Sequence, residues 1–148
     1  MPLNSLKIED LLPHRSGMLL INTILTVDPK VAVTEAVVNE DWPLFNGRDV
    51  EALVLIEVAA QTAGICNGLA RIQKYGPGSD QKSWLVGIKQ ARFFVDALAL
   101  KDRIIMHAEN SFEYEGYRQI IGTARIGSTV IAEIGLQAIQ ADDDHLPE

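Results

Sequence analysis

The chain holds a single cysteine, Cys66, among 148 residues, so no intrachain disulfide can form. That agrees with a reducing compartment, where disulfides are rare. Cys66 lies in an apolar run and reads as a small core residue rather than a nucleophile. Basic clusters are also lacking. The 13 Lys and Arg are scattered and outnumbered by 20 Asp and Glu, for a net charge of −7. Nucleic-acid binding needs a concentrated basic patch, so that class is set aside. Anionic membrane surfaces are disfavoured for the same reason. An acidic surface steers instead toward a basic patch on a partner. Aromatics make up only 6% and are not interleaved with basic residues, which removes stacking platforms for single-stranded nucleic acid.

Other absences narrow the chemistry. The N-terminal residues 1–15 have no basic start followed by an apolar run, so no secretory signal is expected and the expected location is cytoplasmic. Glu57 and Gln61 interrupt the best apolar segment, so no membrane span is expected. His14, His107 and His145 are far apart in sequence and there is one cysteine, which gives no metal-ligand spacing. No metal and no cofactor are expected. There is no nucleophile elbow, no phosphate-binding loop and no dinucleotide fingerprint.

What the chain does have is an apolar segment, 52–73, with one carboxylate inside it. Its length and its stop at Tyr75-Gly76-Pro77-Gly78 predict a long helix. A helix apolar on nearly every side is expected to be buried. Glu57, Gln61, Gly64 and Gly68 follow at spacings of four, three and four, so they share one stripe at 3.6 residues per turn. Two readings fit the stripe. It faces solvent or a subunit interface, with Glu57 hydrated or paired. Or it carries a buried acid/base, whose desolvation would favour the neutral form.

The remaining elements fall into order around this helix. Residues 5–12 read as a short helix with Ser5 as N-cap, ended by Pro13. Residues 18–27 and 31–38 read as an antiparallel pair of strands, and 39–48 as a loop. Strand-like runs follow at 84–94, 103–114, 117–126 and 129–140, with Gly116 and Gly127-Ser128 as hairpin turns. Segregated helices and strands favour an α+β fold, an antiparallel sheet of about six strands curled around one helix. One domain is expected over residues 1–141, followed by an acidic tail, 142–148, that frays.

Three segments, in this order, resemble the 3-hydroxyacyl-acyl-carrier-protein dehydratases of the hot-dog fold. Leu11-Leu12-Pro13-His14-Arg15 is similar to that family's opening motif. Glu57-Val58-Ala59-Ala60-Gln61 is similar to its central-helix motif, with Val58 in place of an alanine. Gly87-Ile88-Lys89-Gln90-Ala91-Arg92-Phe93 is similar to its strand motif. The family's H-F-P-G segment ahead of the helix is absent, and Phe45-Asn46-Gly47-Arg48 stands there instead. Its later P-G-D is replaced by Leu100-Lys101-Asp102.

The resemblance implies a curved antiparallel sheet wrapped around the long helix, with Glu57 as one half of a catalytic pair. His14 is the only other imidazole near a family motif, and is the expected second half. Gln61, Gly64, Gly87 and Phe93 are the expected substrate-binding residues. The implied reaction removes water from a 3-hydroxyacyl thioester on an acyl carrier protein, in fatty-acid, polyketide or polyene assembly. The implied assembly is a homodimer or higher oligomer, or a hetero-oligomer with another hot-dog subunit. Two other readings stand beside it: a hot-dog thioesterase using Glu57 alone, and a non-catalytic subunit supporting an active partner.

Overall fold

A computed structural model of the chain describes residues 7–8, 18–76 and 83–141. The elements in chain order are β1 (Thr23–Val27), β2 (Val31–Val37), β3 (Val50–Glu51), a 3-10 turn (Ala52–Val54), α1 (Leu55–Tyr75), β4 (Ser83–Phe93), β5 (Ala97–Leu98), β6 (Arg103–Tyr114), β7 (Tyr117–Ile126) and β8 (Thr129–Ala141). Six strands form one antiparallel sheet in the order β1-β2-β6-β7-β8-β4, and β3 pairs with β5 in a second, two-stranded one.

The strand pattern follows from which residues can face a helix. In β2, Ala32, Thr34 and Ala36 point inward and are buried, alternating with partly exposed neighbours. In β6, Ile104, Met106 and Ala108 do the same. The helix turns Leu55, Val58, Ala59, Thr62, Ile65, Cys66 and Leu69 to the interior. It packs against β1, β2, β6, β7 and β8. Five flat strands at about 4.8 Å spacing would span about 19 Å, against a helix about 10 Å across. The sheet must therefore bend around α1, and small residues let it do so. Gly122 on β7 faces the helix so closely that an added Cβ would stand 3.1 Å from the Ala59 Cβ.

The burial divides in two. One cluster joins the first half of α1 to β6, β7 and β8 and includes Leu55, Val58, Ile104, Met106, Ile134 and Leu136. A smaller one, with Ile21, Ala32, Ile65, Cys66, Leu69 and Ile72, lies along its second half. Turn chemistry closes the hairpins. The Asp28 carboxylate accepts the backbone N–H groups of Lys30 (2.7 Å) and Val31 (2.8 Å) between β1 and β2. Those two donors hold its carboxyl below the usual range. Glu115 (φ 41°) and Gly116 (φ 79°) turn β6 into β7, the left-handed pair a tight hairpin needs.

Four expectations need correction or extension. The first strand begins at Thr23, not at residue 18; Met18 and Leu20 bond to a helix side chain instead. The helix is not buried all round: Ile56, Glu57, Ala60, Gly64 and Arg71 form a partly exposed flank. The segment Ala52–Tyr75 is long and apolar enough to cross a membrane after all, though 72% of its most apolar window is buried inside this fold. The two short strands β3 and β5 are additions to the expected order. The helix expected at 5–12, apart from Lys7 and Ile8, and the acidic tail at 142–148 lie outside the described residues.

The contact between Gly122 and Ala59 gives a direct test of this packing. Gly122→Val is expected to lower unfolding free energy by about 1–3 kcal/mol through overpacking. The midpoint of urea unfolding should fall with little change in slope. A variant as stable as the parent would contradict the close approach of β7 to α1.

Candidate active site

The site is organised by Gln61, which is fully buried on α1. Its Oε1 accepts the backbone N–H of Leu20 at 2.9 Å. Its Nε2 donates to the backbone carbonyl of Met18 at 2.7 Å and to Oε1 of Glu57 at 3.0 Å. A buried amide left without partners would cost about 1–3 kcal/mol, and here it is satisfied on both sides. The chain from Met18 to Leu20 spends these backbone groups on Gln61 rather than on a strand neighbour. Backbone pairing with β2 takes over at Asn22, whose N–H donates to the Glu35 carbonyl at 3.0 Å.

Glu57 lies in the first turn of α1, a favourable place for negative charge. It is half-buried within the chain, between the two readings of the stripe. The i, i+4 spacing places its carboxylate beside the Gln61 amide. One turn further, Gly64 is also partly exposed and adds no side-chain bulk to that flank.

A second polar contact lies on the opposite side of the helix. Thr62 Oγ1 donates to the Val58 carbonyl at 2.8 Å, and it meets Thr34 Oγ1 of β2 at 2.9 Å. Thr62 has one hydroxyl proton and gives it to Val58, so Thr34 is the donor of the pair. Sequence reasoning missed this contact. Its signal was present: Thr34 is the polar residue among the inward positions of β2, opposite a hydroxyl in an apolar helix.

Of the expected residues, the structure brings Glu57, Gln61 and Gly64 together on one flank of α1. Gly87 is exposed on β4, one edge strand of the sheet, and an added Cβ there would meet nothing within 4 Å. Phe93, at the end of the same strand, packs against the larger core cluster. His14 and His145 lie outside the described residues, and His107 is exposed on β6. Cys66 is buried in the core. Burial first, and the negative charge of Asp28 second, push its thiol up to about 12. No cluster of metal-ligating side chains occurs among the described residues. A shallow cavity of about 360 Å³ is lined by residues of the β1–β2 turn and of β6, including Asp28, Lys30, Asn110 and Phe112, and by none of the site residues.

An antiparallel sheet bent around one long helix, with a carboxylate in that helix's first turn, defines a hot-dog protein. The chain belongs to the ApeP-like dehydratase family, whose model matches residues 6–146. It is 29% identical over 143 residues to a 3-hydroxyacyl-[acyl-carrier-protein] dehydratase FabZ of Anaeromyxobacter sp. (strain K), covering 91% of this chain and 88% of the relative. It is 32% identical over 136 residues to the FabZ of Chlamydia muridarum, covering 85% and 84%. Among solved structures, the dehydratase heterocomplex ApeI:P from Xenorhabdus doucetiae has a chain that superposes with a TM-score of 0.78 at 18% identity, covering 94% of this chain and 93% of that one. A hypothetical thioesterase with coenzyme A from Streptococcus pneumoniae TIGR4 shares the fold at a TM-score of 0.56 and 12% identity, covering 80% and 84%.

The raised Cys66 thiol carries a stability prediction. A group that holds its proton more tightly when folded contributes full stability below its unfolded value of 9.0 and loses it as pH rises toward about 12. Between those limits unfolding free energy should fall by up to about 1.4 kcal/mol per pH unit. Urea unfolding across that window should show a shallower fall in Cys66→Ala than in the parent chain. Equal pH dependence in the two proteins would contradict the burial of the thiol.

Proposed function

We propose that this protein removes water from a 3-hydroxyacyl thioester carried on an acyl carrier protein, giving the trans-2-enoyl thioester. The observation that carries this reading is the Glu57 carboxylate, half-buried in the first turn of the central helix and held by Gln61, in a chain of a dehydratase family. Elimination breaks the C–H bond at C2 and the C–O bond at C3, and the hydroxyl leaves as water. It needs a group to take the C2 proton and a group to protonate the departing hydroxyl. Glu57 is one. His14, four residues ahead of the Met18 carbonyl that Gln61 binds, is the other. Gly64, Gly87 and Phe93 are the residues we assign to the acyl chain. The family's role for a histidine just before the helix passes in this reading to the segment that Gln61 ties down.

Assembly belongs to the same reading. Among the described residues, β4 forms one edge of the sheet, 11 residues long, with Gly87, Ile88, Lys89 and Gln90 exposed. An edge of this length invites pairing with a second chain. The partly exposed flank of α1, with Ile56, Ala60 and Gly64, offers further surface to cover. We assign the protein to a homo-oligomer, or to a hetero-oligomer with another hot-dog subunit; the similarity to a chain of the Xenorhabdus dehydratase heterocomplex supports the second. A soluble, cytoplasmic setting goes with this reading, since its apolar helix is sheathed by the sheet.

The test is product analysis on a 3-hydroxyacyl carrier-protein thioester. The parent chain should yield the enoyl thioester, with a mass loss of one water. Glu57→Gln and His14→Ala should each lower the rate by about 100-fold or more. Full activity in His14→Ala would remove that residue from the mechanism. Release of the free acid, lost in Glu57→Gln and kept in His14→Ala, would favour a thioesterase. No product without a second hot-dog subunit, and product with it, would favour the supporting role.

A further inference from the structure

We propose that Gln61 is a positioning residue, a clamp that sets the Glu57 carboxylate rather than a group that touches the acyl chain. The inference rests on the reading of Glu57 as the acid/base of the dehydration, and deepens it. Three observations carry it. First, both Nε2 protons of Gln61 are already committed, one to the Met18 carbonyl and one to Glu57, so no donor is left for a substrate. Second, the residue has no exposed surface. Third, its orientation is not a free choice. The Leu20 N–H can only donate and the Met18 carbonyl can only accept, so the two backbone partners decide which end of the amide is oxygen and which is nitrogen. The end that meets Glu57 is therefore the donor.

The consequence lies in how a glutamate behaves. Its side chain has three rotatable bonds, and on a helix flank it would sample several rotamers. Anchoring one carboxylate oxygen at 3.0 Å selects among them. The anchor itself cannot drift, because it is fastened to backbone on the far side. The carboxylate is thus referenced to the chain at Met18–Leu20 and not to its own helix alone. A misplacement of about 1 Å at a reacting group can cost about 100-fold in rate, which is the scale on which such a clamp acts.

The experiment uses the full chain and has two arms. In the first, the side-chain amide of Gln61 is followed by NMR in uniformly nitrogen-labelled protein, with and without Glu57→Ala. The clamp requires that the amide resonances shift and that one of the two protons exchange faster with solvent once the carboxylate is gone, while the proton bound to Met18 stays protected. An amide pair indifferent to Glu57→Ala would overturn the proposal, whatever the activity. In the second arm, Gln61→Met is assayed on the 3-hydroxyacyl carrier-protein thioester, well below its own melting temperature. The expected result is a fall in kcat of about 100-fold with KM changed by less than about twofold. A kcat within about threefold of the parent would overturn the positioning role. A parent chain that forms no enoyl product would instead count against the dehydratase reading, and the NMR arm would then decide the clamp by itself.

Discussion

A buried side-chain amide must find partners for its oxygen and for both its protons, and in this protein that requirement links the central helix to the segment at Met18–Leu20. Gln61 meets it by accepting from Leu20 and donating to Met18 and Glu57. The helix is thereby fixed to the segment that enters the sheet, and the carboxylate is fixed to both. The path of the chain at Met18–Leu20 and the orientation of Glu57 are both tied to one residue's hydrogen bonds. An apolar residue of similar size would fill the same volume without imposing any of this.

The second constraint is the close wrapping of a sheet around a helix. Five strands reach α1 only because the sheet bends, and the inner faces are lined with small residues where the approach is closest. Ala32, Ala36, Ala108 and Gly122 keep that distance short, and Ala59 meets Gly122 from the helix side. The same wrapping leaves one flank of the helix partly exposed, and Glu57 lies on that flank. Core and site are therefore two sides of one helix, set by its 3.6-residue period.

Much of this was legible in the sequence. The order of elements, the long central helix and the shared stripe of Glu57, Gln61 and Gly64 follow from periodicity and turn residues. The hairpin between β6 and β7 was marked by Gly116, and the helix end by Gly76. Other features were not legible, for identifiable reasons. The two-residue strands β3 and β5 are too short to carry a period. Residues 18–20 have strand-like composition, but the bonds of Met18 and Leu20 to Gln61 are long-range and no local pattern announces them. The helix read as apolar on all sides because Ile56 and Ala60 are apolar without being fully buried, and hydropathy does not distinguish the two. The same ambiguity makes Ala52–Tyr75 resemble a membrane span by composition, when strands cover most of it.

The central claim is that Glu57 serves an elimination at C3 of the acyl chain. Incubating the protein with a 3-hydroxyacyl carrier-protein thioester in heavy-oxygen water, and locating the label by mass spectrometry, tests it most directly. Reversible dehydration predicts heavy oxygen in the C3 hydroxyl of recovered substrate, in the parent chain and not in Glu57→Gln. Label confined to the carboxyl group of a released acid, or C3 labelling that persists at full rate in Glu57→Gln, would contradict it.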